Sequence, residues 1–150
     1  KWGCPCTGDV STYCTSATTT NGCGPSISAV GVPSASATSG FDVTITSVEG
    51  QKTGLVLYGM SGPKAFPWGT GFLCVKAPSQ RTEPQGSGGT NNLCDGVMAL
   101  DFNASMATHP GSLGGPFAPG QTFWMQGWFR DPPAPKGTNF SDALQFTTCP

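Results

Sequence analysis

The sequence predicts an all-β fold: an antiparallel β-sandwich of about seven strands, immunoglobulin-like or jelly-roll-like in topology and stapled by disulfides. Short apolar runs alternate with turn residues, with 22 glycines and 14 prolines in 150 residues, and this spacing is typical of sandwiches. No segment keeps an apolar period of 3.6 residues, so we expect very little helix. Seven cysteines are present that can form the disulfide bonds.

The strands follow from alternation and punctuation. In 41–48, "FDVTITSV", Phe41, Val43 and Ile45 share one face and hydrophilic residues share the other, as in a strand with one wet face. The run 54–59, "GLVLYG", is apolar throughout and suits a central strand. The remaining predicted strands cover 27–32, 71–75, 96–103, 122–130 and 143–149.

The last two strands are joined by a long loop, "RDPPAPKGTNFSDA", at 130–143. Its prolines fix φ and remove donors, which stiffens the loop. Asp131 and Asp142 are expected to accept bonds from loop N–H groups, and Arg130 beside Asp131 is expected to add a charge-assisted bond. We interpret this loop as structural rather than catalytic.

Cysteine pairing stays open at this point. The cysteines are Cys4, Cys6, Cys14, Cys23, Cys74, Cys94 and Cys149. Proximity favours Cys14 with Cys23 and Cys74 with Cys94, the second pair closing the base of a long polar connector. Cys149 then takes Cys4 or Cys6, which leaves one surplus thiol, either free or capped, paired beyond this segment, or bonded to a neighbouring subunit. We place an N-terminal arm at 1–12 and a single sandwich domain at 13–150.

The cysteines also indicate the compartment. With one histidine and no CxxC pair, zinc ligation lacks its usual spacing, and disulfides in an oxidising compartment fit better. The chain begins at Lys1, as expected for a mature or excised chain whose signal peptide has been removed. The prediction is a secreted protein, extracellular or at the cell surface.

Four stretches resemble one family: "YCTSATTTNGCGPSISAVGVPSASATSGFDVTI", "GLVLYGMSG", "FLCVKAPSQRT" and "WFRDPPAPKGTNFSDALQFT". They are similar, in order and spacing over residues 11–150, to secreted bacterial β-rich modules, often found at the C-terminal ends of large extracellular proteins. The start "KWGCPC" lies outside the pattern. The resemblance implies secretion and a sandwich fold, and it implies no activity, because the family has no established function.

Nothing in the sequence indicates an enzyme. A hydrolytic triad needs a base against a nucleophile, and the single histidine, His109, stands in a Gly/Pro-rich loop where a solvated role is expected. No GxSxG elbow occurs, and the eight acids form no recognisable pair. We expect no cofactor; calcium at Asp95, Asp101 or Asp142 is a weak alternative without a DxDxDG loop.

Charge and hydropathy limit the classes of partner that we expect this protein to bind. The net charge is −1 with no basic run, so nucleic acid is not expected, and no apolar stretch reaches the ~20 residues of a membrane span. In "FWMQGWFR" Phe123, Met125 and Phe129 share one face of the strand. If that face is core, the outward face carries Trp124, Gln126, Trp128 and Arg130. The two tryptophans, about 13 Å apart at ~3.3 Å per residue, would form a stacking platform for sugars unless the second sheet or loops cover them.

Other aromatic residues extend these expectations. Phe66 and Trp68 in 62–71 either plug the end of the sandwich or bind a ligand, and Trp2 could anchor the arm on another subunit. Low charge and a surplus cysteine favour self-association. The sequons at Asn103 and Asn139 are candidates for glycosylation.

Together these observations predict a non-catalytic extracellular structural or assembly protein: a cell-surface or filament subunit, or an adhesive module, with copies of itself or other extracellular proteins as partners. The alternative is a carbohydrate-binding module of a larger secreted protein, with polysaccharide as its partner.

Overall fold

The computed structural model describes residues 6–150. Trp2 and Cys4 lie outside the described residues. The described chain forms eleven strands and one short helix: β1 (Ser11–Tyr13), β2 (Ser26–Gly31), β3 (Phe41–Val48), β4 (Thr53–Gly59), β5 (Pro63–Trp68), β6 (Gly71–Val75), β7 (Ser79–Arg81), β8 (Gln85–Gly86), β9 (Gly96–Asp101), α1 (Phe102–Thr108), β10 (Thr122–Arg130) and β11 (Thr138–Thr147).

These strands form a β-sandwich with an additional hairpin layer. A six-stranded sheet has the order β1-β11-β10-β4-β7, with β8 also paired to β4, and a three-stranded sheet has the order β2-β3-β9. The strands within both sheets and within the separate β5–β6 hairpin pair antiparallel. The antiparallel all-β prediction is therefore confirmed, with more strands than expected.

The main core lies between the two sheets. Residues from β2, β3, β4, β9, β10 and β11 point into it, mostly at alternate positions, as period-two side chains do; in β3 these include Phe41, Val43 and Ile45, all fully buried. The rings of Phe102, Phe123 and Phe146 meet in this core along with others, mostly edge-on at centroid distances of 5 to 6 Å. Aromatic pairs of this kind add to the stability that the burial of their area provides.

A bulge in β11 changes which of its side chains face the hairpin and which face the main core. The register between β10 and β11 shifts between Gln126 and Trp128, so Phe140 faces the hairpin while Leu144 faces the main core. Gly127 sits at the shift, where an added Cβ would lie 2.8 Å from a side-chain carbon of Ile45. A side chain there would push the two sheets apart.

Strand β8 joins the two sheets at one side. It pairs with β4 through its backbone, and the Gln85 side-chain amide pairs with Ala99 of β9, donating to its carbonyl at 2.9 Å and accepting from its N–H at 3.0 Å. Val97 N–H donates to the Ser87 carbonyl at 2.8 Å. The outer edge of β9 is therefore covered, which removes a site for edge-to-edge pairing.

The described part of the N-terminal segment is joined to the sandwich. Cys6 is bonded to Cys149, the Gly8 carbonyl accepts from Thr147 N–H at 2.7 Å, and β1 pairs with β11. These contacts hold residues 6–13 along the edge of the six-stranded sheet.

Three disulfides use all six described cysteines. Cys6 pairs with Cys149, as one of the two predicted options had it. The predicted pairs Cys14–Cys23 and Cys74–Cys94 are wrong: Cys14 bonds Cys74, and Cys23 bonds Cys94. Proximity in sequence failed because the cysteines of each predicted pair are carried to different layers. Cys74 lies on the hairpin against β1, whereas the loop before β9 brings Cys94 to the loop before β2.

Three predicted segments differ from the structure. The strand at 96–103 ends at Asp101, and α1 begins there because the Asp101 carboxylate caps it, accepting from Ala104 N–H at 3.2 Å. Strand β11 begins at Thr138, so the long loop after β10 shrinks to 131–137. The predicted loop at 62–71 is mostly the β5–β6 hairpin.

Candidate binding grooves

One concavity, which we call the main groove, has a volume of about 550 Å³. It runs between the segment 81–84 on one side and β9 with α1 on the other. Its lining is polar and apolar by turns: Gln80, Thr82, Glu83, Ala99, Ser105 and His109 are among the residues that face it. A groove lined by hydroxyl, amide and carboxylate groups suits a ligand rich in hydroxyl groups.

The floor of the main groove is fixed by buried hydrogen bonds. Tyr58, which is 1% exposed, donates its hydroxyl to the Leu113 carbonyl at 2.9 Å, and Gln80 Oε1 accepts from Leu113 N–H at 3.3 Å. Burial raises the pKa of Tyr58 to about 12, although a hydrogen bond with Ser112 lowers it in part. The phenol therefore stays protonated near neutral pH and keeps the loop at 109–117 in place.

The walls of the main groove are equally constrained. Thr82 continues the pairing of β7, since its N–H donates to the Val56 carbonyl at 2.9 Å and its Oγ1 accepts from Val56 N–H at 3.1 Å. On the facing wall, burial by itself raises the pKa of Asp101, but donated bonds from Gly40, Ala104 and Phe41 N–H groups outweigh it and lower the pKa. Asp101 is thus an ionised cap at neutral pH.

His109 is exposed, as predicted, and ends α1. Its Nδ1 lies 2.9 Å from the Ser105 carbonyl and 3.0 Å from Thr108 Oγ1. Because a carbonyl only accepts, Nδ1 carries the proton in the first contact. The ring is therefore positioned by the helix end rather than by a carboxylate.

A smaller groove of about 240 Å³ adjoins the main one, and Pro84 lines both. Leu55, Trp128 and Arg130 also line the smaller groove. Because both grooves include Pro84, a ligand longer than either groove can contact both.

Beside the smaller groove lies a group of three rings, Trp68, Trp128 and Phe140, which we call the ring cluster. Trp128 stacks on Phe140 with centroids 5.5 Å apart and planes 9° apart, and Trp68 meets both rings edge-on. The Arg81 guanidinium lies 4.6 Å from the Trp128 ring centre, and Lys136 Nζ lies 5.1 Å from that of Trp68. Each contact is a cation–π pair.

The predicted platform on β10 is not formed. Gln126, its central residue, is fully buried: its Oε1 accepts from Cys74 N–H at 2.9 Å, and its Nε2 donates to the Phe72 and Ser141 carbonyls at 2.9 and 2.7 Å. Trp124 and Trp128 are only partly exposed, because the β5–β6 hairpin packs against them. The alternative, that another layer covers the tryptophans, describes the structure better.

The other predicted positions are scattered. Phe66 is 54% exposed, with Lys64 Nζ 5.5 Å from its ring centre. Trp68 is half-buried and donates from Nε1 to Thr138 Oγ1 at 3.1 Å. Arg130 is exposed, and the Asp131 carboxylate, 1% exposed, accepts instead from Thr20 N–H at 3.1 Å.

Both sequons lie inside the fold. Asn103 and Asn139 are 1% and 0% exposed. Asn103 Nδ2 donates to the Val32 carbonyl at 2.9 Å, and Asn139 Nδ2 donates to Asp131 Oδ2 at 2.8 Å. Neither amide nitrogen is accessible for glycosylation in the folded protein.

The three candidate calcium ligands serve three different segments. Asp95 accepts from Thr90 N–H, Asp101 caps α1, and Asp142 accepts from Ile27 N–H. Within residues 6–150 no group of three or more histidine, cysteine or carboxylate side chains could hold a metal ion.

Arg81 and Lys136 were not anticipated as site residues. Arg81 contacts Trp128, and Lys136 contacts Trp68. The two residues of each pair are more than 40 positions apart in sequence, so no local pattern marks them. The one available signal was their scarcity: the chain has only seven lysines and arginines, so each basic side chain is a candidate for a specific contact.

The disulfides indicate an oxidising, extracellular type of environment. Among residues 6–150 no helix combines the length and apolarity that crossing a membrane would need. No family model matches the chain, and comparison with curated proteins and with solved structures finds no significant match. The resemblance to secreted β-rich modules therefore stays a prediction, and the proposals below depend on the chemistry of the grooves.

Proposed function

We propose that this protein is a secreted, non-catalytic module that binds polysaccharide chains along the main groove. The observation that carries this proposal is the main groove itself: about 550 Å³, lined by hydroxyl, amide and carboxylate side chains, and sharing Pro84 with a second groove beside the ring cluster. Polar groups of these kinds can hydrogen-bond the hydroxyl groups of a sugar chain, and a chain of several sugar rings is long enough to contact both grooves.

The rigidity of the groove supports binding. Its floor and walls are held by the bonds of Tyr58, Gln80, Thr82 and Asp101 described above. A site that is already formed loses little conformational entropy when a ligand arrives.

The test is to fill the groove. Ala99 lines it and is exposed on β9, so Ala99→Trp should block it and weaken binding to a soluble polysaccharide panel by at least tenfold in affinity electrophoresis. Val97→Trp is the matched control, because Val97 is 45% exposed two residues earlier on the same strand and is not part of the groove lining.

Two outcomes would contradict the proposal, one about the site and one about the ligand. If the Ala99→Trp and Val97→Trp proteins bind the panel equally, the main groove is not the site. If the unmodified protein binds no member of the panel, polysaccharide binding is wrong.

Assembly with copies of itself is the second candidate, and the cysteine count favours it. The three disulfides use six of the seven cysteines, so Cys4 is the surplus one within this chain. Non-reducing electrophoresis should then show a dimer or larger species that Cys4→Ser abolishes. A monomer under non-reducing conditions would remove this argument for a structural role.

A further inference from the structure

The basic side chains are gathered on one side of the molecule. Of the six lysines and arginines in residues 6–150, four lie at the ring cluster, at Phe66 or at the smaller groove: Lys64, Arg81, Arg130 and Lys136. Arg81, Arg130 and Lys136 are exposed and Lys64 is partly exposed.

Most of the acids lie elsewhere, although the exposed Glu83 lines the main groove two residues after Arg81. Five of the eight stand on the three-stranded sheet, at its ends or against it: Asp42, Glu49, Asp95, Asp101 and Asp142. Asp131 is buried and bonded to Thr20 and Asn139. A chain of net charge −1 therefore presents a locally positive surface around the ring cluster, which attracts anions.

Aromatic contacts hold these cations in place. Arg81 lies over Trp128, Lys136 over Trp68, and Lys64 over Phe66. A guanidinium held beside an indole ring keeps its N–H donors, whose planar arrangement matches the two oxygens of a carboxylate or sulfate. The rings thus position the cations for an anionic group.

From this arrangement we infer that the ligand is an anionic polysaccharide, one that carries carboxylate or sulfate groups. This inference rests on the proposed function. The acidic groups bind at Arg81, Arg130 and Lys136 around the ring cluster. The sugar hydroxyl groups lie in the main groove, where Glu83 and Asp101 can accept hydrogen bonds from them.

Nucleic acid is a poorer match for this surface. A duplex carries one phosphate per ~1.7 Å of axis, and tight binders neutralise many phosphates with clustered cations. Four cations spread over the hairpin, the ring cluster and the smaller groove neutralise too few phosphates, whereas a polysaccharide with one carboxylate per sugar ring carries fewer charges along its length than a duplex does.

The experiment compares one polymer in two charge states. Polygalacturonate and its methyl-esterified form have the same backbone, and isothermal titration calorimetry should show the ester binding at least tenfold more weakly. Affinity for the acid form should fall as NaCl is raised. Single-stranded DNA serves as a third probe.

Variants locate the anionic contacts. Arg81→Gln and Lys136→Gln should each weaken polygalacturonate binding by about three- to tenfold. Lys136→Gln should also leave binding of the ester unchanged, because Lys136, unlike Arg81, is not part of the main-groove lining. Lys52→Gln is the matched control: it removes the same charge where Nζ donates to Asn91, away from the ring cluster, and should change the affinity less than twofold.

Three results would overturn the inference. Equal affinity for both forms, with the Ala99→Trp effect retained, would leave the proposed function standing and refute the anionic ligand. Tighter binding of DNA than of polygalacturonate would favour nucleic acid. Binding of neither polymer form, together with a neutral glycan bound in the main groove, would assign the site to uncharged sugars.

Discussion

The two faces of the six-stranded sheet are covered in different ways. The inner face meets the three-stranded sheet and α1 through phenylalanine, methionine and branched aliphatic side chains, nearly all fully buried. The outer face meets the β5–β6 hairpin through tryptophans that stay partly exposed, a buried glutamine, and cations over rings. The inner face is a sealed core, whereas the outer face joins a packed layer to a solvated, charged surface.

The difference indicates which face can carry function. A sealed core offers a ligand almost no polar groups, the Tyr58 hydroxyl at the floor of the main groove being the exception, and its packing leaves little room for substitution. A layer of amphipathic rings with polar groups at its margin can both support the fold and contact a ligand. The predictions below test that division, starting with the largest expected effect.

Two adjacent residues of β10, one on each face of the six-stranded sheet, allow a direct comparison of the two faces. Phe123 is fully buried in the inner core, and Trp124 is partly exposed under the hairpin. Phe123→Ala should cost about 3–5 kcal/mol in free energy of unfolding, and Trp124→Ala should cost less, because part of the Trp124 side chain is already in contact with water in the folded state. Urea unfolding measures both; equal losses would show that the hairpin layer is as sealed as the core.

Gln126 is the polar link between the hairpin and the sheet. Gln126→Ala should lower the free energy of unfolding by about 3 kcal/mol, since Cys74 N–H and two carbonyls would lose their partner. Gln145→Ala is the control: its side chain accepts one bond, from Trp124 Nε1 at 2.9 Å, so its loss should be under about 1 kcal/mol. A small effect at Gln126 would mean that the hairpin is held by its disulfide and rings alone.

Acid should weaken the inner sandwich through carboxylates with lowered pKa values. Burial raises the pKa of Glu49, but bonds from Thr19 and Asn21 and the charge of Lys52 outweigh it, and the pKa of Asp101 is lowered as described. Such groups stabilise the fold above their ordinary pKa, and this stability is lost as pH falls through their lowered values. Melting temperatures between pH 2 and 7 should therefore fall on the acid side, and Asp101→Asn should flatten that fall.

Asp142 should contribute with the opposite sign. Burial raises its pKa, although the bond from Ile27 N–H lowers it in part, so the folded state favours the protonated form. Its contribution is present at low pH and is lost as pH rises from the ordinary carboxyl pKa through the raised value. Asp142→Asn keeps an acceptor for Ile27 N–H and should raise the melting temperature at pH 7 but not at pH 3; a loss at pH 7 would contradict the raised pKa.

The smallest effect is expected inside the ring cluster. Trp128 Nε1 is buried with no hydrogen-bond partner, whereas Trp68 Nε1 donates to Thr138. Trp128→Phe removes an unsatisfied donor along with some ring area, so the free energy of unfolding should change by less than about 0.5 kcal/mol, and Trp68→Phe should cost about 1 kcal/mol more. Equal costs in thermal unfolding would show that Nε1 of Trp128 is satisfied in solution.

Much of the fold followed from local pattern. The strands at 41–48, 71–75 and 122–130 have the predicted bounds, because alternation and flanking glycines act within a few residues. The segments that failed depend on distant partners. Strand β5, with two prolines and exposed residues, forms because β6 pairs with it, and β11 starts early because of the bulge opposite Gly127.

By itself the sequence determined the all-β class, the disulfide-forming environment, the pairing of Cys149 with the N-terminal segment, and which residues alternate into the core. The tertiary structure decided the pairing of the other cysteines, the burial of Gln126, the covering of Trp124 and Trp128, and the meeting of Arg81 and Lys136 with their rings. The physical reason is range: backbone propensity and side-chain alternation act between neighbours in the chain, whereas disulfides, cation–ring contacts and grooves require residues that only the packing of separate layers brings together.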